Sequence, residues 1–493
     1  MFRISRLPLA LMLAAMPVAL IANNITVSNV TLIGQVPASD TWQVQFDISW
    51  ENGWRTSTAE ANHDAAWVFI KFRAGLDPTW RHATLSGGGH VGPLAPASDL
   101  KGAFIRRNTD GIGNFSSAGV QLRWNYGASG VADNDIIEVR VLAIEMVLVP
   151  QGAFVVGDGT STGIERQFEA GNTGAPFTIA SEAALTLGGT AATNLCNHNN
   201  VTTGGGGNDD FNYTTTTTLP AAFPKGFNAF YMMKYECTQG QYVDFLNMLT
   251  ATQASARFVG MAPFPGVGGL TIDDTGTAPE LYVTTTPERG CGMIALADLL
   301  AYADWTALRP MSELEFEKAC RGNRPAVANE YAWATTGLRG SQYTVTNAGA
   351  TNETVNAIGT EGNANIQGLI IPARPLRTGI FSGSLVAPDR QASGAGYYGA
   401  MELSGNLDEL TISAGTAIAR TFTGGHGDGA LTATGLADVA GWPSTGGPIA
   451  MRGSGFNNAS APVTNRLRVS SRLLPNQPAN ATSDGGIRLC RLP

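Results

Sequence analysis

The sequence predicts a β-rich α+β protein of two domains behind a short export signal. One reason is composition: 43% of the 493 residues are hydrophobic, with 20 Phe, 11 Tyr and 9 Trp, while only 14% are charged. With 60 Gly and abundant Thr, Asn and Ala, such a chain favours short strands and ordered loops over a helical bundle. A second reason is a series of strand-like segments between residues 24 and 145. The third is a small set of well-capped helices further on. At this length the chain can bury a large core and divide into domains.

The first strand-like segment follows a leader, MFRISRLPLALMLAAMPVALIANN, with the layout of a secretory signal. Arg3 and Arg6 are basic, Leu7 to Ile21 is apolar, and small residues near Ala22 offer a cleavage site. Residues 1–22 are therefore expected to be a signal peptide. The alternative is a retained anchor, but Pro8 and Pro17 interrupt the run, and a spanning helix needs about 20 apolar residues. No later segment is apolar enough to span a membrane, so the mature chain is expected outside the cell. The formal charge is −8, and removing both arginines gives −8 − 2 = −10. With no Lys/Arg run, nothing marks a nucleic-acid partner.

Residues 23–145 read as a β-sandwich or jelly-roll-like domain. NITVSNVTLIG, WQVQFDISW, AAWVFIKFRA, GVQLRWNYG and DIIEVRVLAIEM alternate or form short apolar blocks between Asn-, Gly- and Asp-rich turns. In WQVQFDISW, Trp42, Val44, Phe46 and Ile48 share a face that must be covered. A second domain is expected over residues 146–493, with a polar low-complexity insertion at 188–218. That insertion contains Asp209 and Asp210, which read as a calcium pair or as ordinary loop residues. Its GGGG run lacks the Gly-Lys-Ser/Thr of a phosphate loop.

The spacing predicts a helix in CTQGQYVDFLNML, where Thr238 and Gln241 form a capping box and Tyr242, Phe245, Leu246 and Leu249 share a face. SELEFEKACRG carries the same signature, with Ser312 and Glu315 at the start and Gly322 at the end. ALADLLAYADW at 295–305 reads as a third helix. From Asn323 onward the chain reads as glycine-rich coil with short strands.

Motif chemistry is sparse. The five cysteines, Cys196, Cys237, Cys291, Cys320 and Cys490, include no CxxC, and an odd count leaves at least one without an intrachain partner. The five histidines, His63, His82, His90, His198 and His426, form no HExxH pair, and no GxSxG elbow presents a serine.

Several landmarks in order resemble the formylglycine-generating, sulfatase-modifying enzyme family: MVLVPQGAFVVGDG, FYMMKYECTQGQYVDFLNML, LRPMSELEFEKACRG with YAWAT, YYGAMELSGNLDEL, and MRGSGFNN with GGIRLCR. They span residues 146–493. The resemblance implies an elaborated C-type-lectin-like fold for that region, and in oxygen-using members a pair of cysteines that binds copper. Thiolates suit copper(I), whereas an amide cannot replace them. Asn457 stands at the first corresponding position, and no cysteine occurs from Asn458 to Thr464, so no copper is expected. The histidine-iron site of other relatives has no matching ligand spacing either.

The resemblance also places a structural calcium site at Asn406 and Glu409, an amide oxygen and a carboxylate of the kind calcium takes. A plain hydrogen-bonded turn is the alternative, and Asp408 and Leu410 depart from the family pattern. Arg452, Arg466, Arg468, Arg472, Arg488 and Arg491 cluster near the end of the chain. They are expected to pin loops to Asp and Glu of the same domain, while Arg452, Arg468 and Arg488, with His426, could instead hold a ligand such as an anionic glycan. The expected function is a non-enzymatic, exported structural subunit of a homopolymeric bacterial cell-surface or extracellular assembly. Two alternatives stay open: a glycan- or protein-binding surface module with loops 260–290 and 420–445 around its site, and a secreted metal-dependent enzyme with divergent ligands.

Overall fold

A computed structural model describes residues 24–75, 77–159, 164, 166–197, 209–258, 270–278, 280–356, 358–383, 389–443, 447–458, 463–480 and 482–493. The signal segment expected at 1–22 lies outside these residues. So do 198–208 of the polar insertion, with His198 and the GGGG run, and 260–269 of one expected binding loop.

The chain is β-rich with few helices, as the composition implies. Strands β1 (Thr26–Val36), β2 (Thr41–Arg55) and Gly111–Asn125 form an antiparallel sheet with β2 in the middle. The alternation in β2 is realised directly: Val44, Phe46, Ile48 and Trp50 are buried, opposite Leu122, Val120, Ser117 and Phe115. Strand β3 (Asp64–Ala74) reads as a near-continuous apolar run because both of its faces are covered. Successive side chains of a strand point to opposite faces. Accordingly Ala66, Val68, Ile70 and Phe72 pack with Val44, Phe46 and Trp124 in one core, while Ala65, Trp67 and Phe69 enter another with Phe245, Leu299 and Trp305.

That double burial welds the two regions together. Strand Ile137–Val149 pairs with β3 from Ala74↔Ile137 to Asp64↔Val147, and its last four residues also pair with Phe230–Met233. The ladder continues through Leu489–Arg491 to Arg309–Pro310, giving one eight-stranded sheet. The boundary expected at 145/146 therefore falls inside a strand. The run EVRVLAIEMVLVP passes from one region into the other with little linker, and its backbone is a single strand as far as Val149.

Helix α1 (Gln239–Asn247) has the Thr238/Gln241 capping box and buries Tyr242, Phe245 and Leu246. Leu249 lies beyond its end, where Thr250 and Gln253 cap a further short helix, α2 (Ala251–Arg257), that the sequence reading missed. Helices α3 (Leu296–Trp305) and α4 (Glu313–Arg321) fall where expected, with Ser312 and Glu315 capping α4 and Gly322 ending it at φ +70°. A separate four-stranded sheet joins Leu474–Gln477, Ile449–Arg452, Asp408–Ile412 and Gly485–Gly486.

Candidate functional site

The sheet of strands 408–412 and 449–452 holds or adjoins several of the residues the sequence singled out. Strand Asp408–Ile412 lies antiparallel to Ile449–Arg452, with Glu409 opposite Arg452, and parallel to Gly485–Gly486. Just before it, Asn406 takes φ +70° in a tight turn. Its amide oxygen accepts from Leu376 N at 2.8 Å and Asn365 Nδ2 at 3.0 Å, and its Nδ2 donates to Glu236. A carbonyl-type oxygen has two lone pairs, and both are taken by N–H donors. Asn406 is thus a hydrogen-bonded hub of this turn, joining Leu376, Asn365 and Glu236.

Glu409 belongs to a different set. Its Oε1 accepts from Arg488 Nε at 3.3 Å and Nη2 at 3.2 Å, while Oε2 is buried without a hydrogen-bond partner. That oxygen lies beside Gly453, whose φ of +78° favours glycine and where a Cβ would come within 2.3 Å of it. Glu236 and Glu402 complete a buried group of carboxylates around Arg488. Burial pushes Glu236 up to about 8 and Glu402 up to about 7, against the pull of Arg488, and raises Glu409 well above the ordinary range.

Asn457 is half-buried, and its Nδ2 donates to Ser483 Oγ at 3.5 Å. Ser483 in turn donates to Asp484, and Arg466 approaches both oxygens of Asp408 at 3.5 Å. Burial raises Asp484 and lifts Asp408 to about 7. No cysteine or histidine lies within 451–458. All five thiols are free and buried, and desolvation pushes Cys196 up to about 11, Cys237 to about 12 and the others well above their usual value. Such thiols are poor sources of thiolate.

Arg452 and Arg488 are buried, and both are engaged within the chain. Arg452 is enclosed, reaching Glu313 at 3.1 Å and Glu317 at 2.6 Å, and Arg488 spends its remaining donors on the Met233, Lys234 and Met401 carbonyls. Arg468 donates to Asn329 Oδ1. His426 accepts from Leu492 N at 3.0 Å, and burial with Arg491 and Arg309 nearby lowers it to about 3. These groups face their own chain. Asp209 and Asp210 behave as ordinary anchors of the insertion: Asp209 binds Arg472 at 2.7 Å, and Asp210 binds Arg420 at 2.7 Å. Among the described residues, one acidic trio, Asp304, Asp428 and Asp438, brings carboxylate oxygens within 4.8 Å of one another. Asp304 uses its oxygens to accept Asp428 N and Asp438 N, so the trio organises a turn.

Two concave sites escaped sequence reasoning because each is assembled from distant segments. One, of about 610 Å³, opens where the N-terminal strands meet the second region and is walled by Trp54, Asn62, Ile112, Lys234, Tyr397 and Tyr398. Ile112 at its rim is 88% exposed. The other, of about 780 Å³, lies between β1 and helices α1 and α3, with Val27, Glu51, Phe115, Gln241, Asp244 and Tyr302 on its walls. Burial lifts Asp244 there to about 6.

Comparison with known proteins agrees with the landmark motifs. A search of curated proteins found no match. The family model for the sulfatase-modifying factor enzyme 1-like domain matches residues 137–492, starting at the first residue of the strand shared by both regions. The match covers well over half of the chain, so the protein belongs to the sulfatase-modifying factor enzyme 1-like family.

Proposed function

We propose that this chain is an exported, non-enzymatic member of its family and serves as a structural subunit of a homopolymeric extracellular or cell-surface assembly of a bacterium. In this reading the three-stranded sheet over β3 is a sandwich, and the region from 146 onward takes the lectin-like arrangement of the family. Against catalysis stands Asn457, an amide at the position where copper chemistry needs a thiolate.

The observation that carries the reading is strand β1. It pairs with β2 on one side and, among the described residues, with no strand on the other. The opposite edge of the same sheet is covered by bridges from Leu85 and Val91 to Trp124 and Gln121. Yet TVSNVTLIGQV holds no charged residue and no proline, the usual guards of an exposed edge. Register shifts around Asn29 and Gly34 divide the edge and set how far a partner ladder can run.

Light scattering of the mature protein at high concentration with calcium should show concentration-dependent oligomers, and Val30→Lys at the exposed edge should suppress them. A strictly monomeric protein would overturn the assembly reading. Stoichiometric copper or iron in the purified protein would overturn the non-enzymatic one. The 610 Å³ site with its tryptophan and tyrosine walls favours the second reading, a glycan- or protein-binding module. Failure of both a glycan array and a pull-down would count against it.

A further inference from the structure

One buried cluster is more than a simple ion pair. Asp64 and Glu145 stand on neighbouring strands, and Lys234 directly follows strand Phe230–Met233 on the other side of Glu145's strand. Lys234 Nζ lies 3.0 Å from Glu145 Oε2 and 3.5 Å from Asp64 Oδ2, and the three side chains are 4%, 2% and 0% exposed. Rings of Trp54 and Tyr235 stand 5.0 and 5.3 Å from the amine. One amine therefore faces two carboxyl groups beside two aromatic rings.

The two carboxyl groups are not equivalent. Asp64 is held by fixed donors on both oxygens: Trp54 N reaches Oδ1 at 2.9 Å, and Trp50 Nε1 reaches Oδ2 at 2.8 Å. Glu145 accepts from Lys234 alone, and its Oε1 is buried with no partner. Asp64 is thus arranged as a polarised electrophile, since N–H donors at its oxygens stabilise negative charge developing there. Glu145 is arranged to carry a proton. Burial raises both carboxyl groups, while Lys234, despite its own burial, is held protonated chiefly by Glu145. The reaction therefore starts with proton transfer inside the cluster.

We propose that Lys234 and Asp64 form an intramolecular isopeptide bond, with Glu145 as proton carrier. The ammonium gives a proton to Asp64, and the neutral Nζ attacks Cγ. Trp54 N–H holds Oδ1 in the tetrahedral intermediate. Glu145 accepts a second proton from Nζ and delivers it to the departing Oδ2, which leaves as water through the adjoining 610 Å³ site that Lys234 lines. An ammonium and a carboxylate become an amide and one water, with no oxidant or cofactor. The bond staples β3 to the end of strand Phe230–Met233 over the strand between them, and so locks the N-terminal layers to the family region. It stands independently of the assembly proposed above.

Peptide mapping of the folded full-length protein by tandem mass spectrometry tests this. The expected product is a branched peptide joining Lys234 to Asp64, lighter than its two parts by one water. Glu145→Gln should lose the branched peptide while keeping the native circular dichroism spectrum. Recovery of Lys234 and Asp64 in separate, unmodified peptides from folded wild-type protein would overturn the proposal, and a bond to Glu145 would overturn the assignment of Asp64. If Glu145→Gln does not fold, the wild-type map alone decides.

Discussion

The N-terminal strands and the family region solve the same problem with opposite chemistry. In the former, long ladders bring apolar faces together: Val44, Phe46 and Ile48 meet Val68, Ile70 and Phe72, and Leu122 and Trp124 close the core. In the latter, regular elements are short and buried charges span the gaps. Arg472 joins Asp209 in the insertion to Glu313 on α4, Arg452 joins Glu313 and Glu317, and Arg321 joins Glu317 and Glu330. All of these side chains are at most 2% exposed. The difference teaches that loops without ladders can be fixed by guanidinium forks, which satisfy several oxygens at once over a long reach. The cost is that every partner must be present, because an unpaired buried charge is expensive.

The sharpest way to break the comparison is to separate its halves. If each region were self-contained, a chain cut at 145/146 would give two folded pieces. The shared strand instead predicts that neither piece unfolds cooperatively alone, which thermal denaturation followed by circular dichroism would show. The next largest effect is expected from Arg472→Met. Its loss strands Asp209 and Glu313 and should cost about 3–5 kcal/mol in denaturant unfolding, as for other buried pairs broken on one side.

What the sequence revealed follows from range. Capping boxes at Thr238/Gln241 and Ser312/Glu315 are written within four residues, and so are the alternation of β2 and the end of α4 at Gly322. Those elements appeared as expected. Arg472 ties the insertion to α4 through Asp209 and Glu313. Those partners were not legible, because Arg472 and Asp209 are far apart in sequence and nothing local couples them. The double burial of β3 was half legible: DAAWVFIKF has no polar face, a pattern of a strand covered on both sides, yet it was read as one layer of a separate domain. The pairing of Lys234 with Asp64 and Glu145 needed the register of three strands, which no single segment encodes.

The smallest expected effect concerns protons. Burial raises Glu236 to about 8 and Glu402, Asp408 and Asp304 to about 7, whereas unfolded carboxylates titrate near roughly 4. Between those values the folded chain binds more protons than the unfolded one, so stability is greatest below about pH 4 for these groups and falls as pH rises toward about 8. Asp209 works the other way: Arg472 and its hydrogen bonds outweigh burial and lower it, so its contribution is lost only under stronger acid. The melting temperature should therefore be higher at pH 5 than at pH 8. Glu402→Gln mimics the protonated acid, since Gly379 N can still bond its oxygen at the position now 2.7 Å away and the amide fills the side where Oε2 has no partner. It should flatten part of that decline and leave the acid limb unchanged. A profile that rises from pH 5 to 8 would mean that the ion pairs of the family region outweigh its strained carboxyl groups across the whole range.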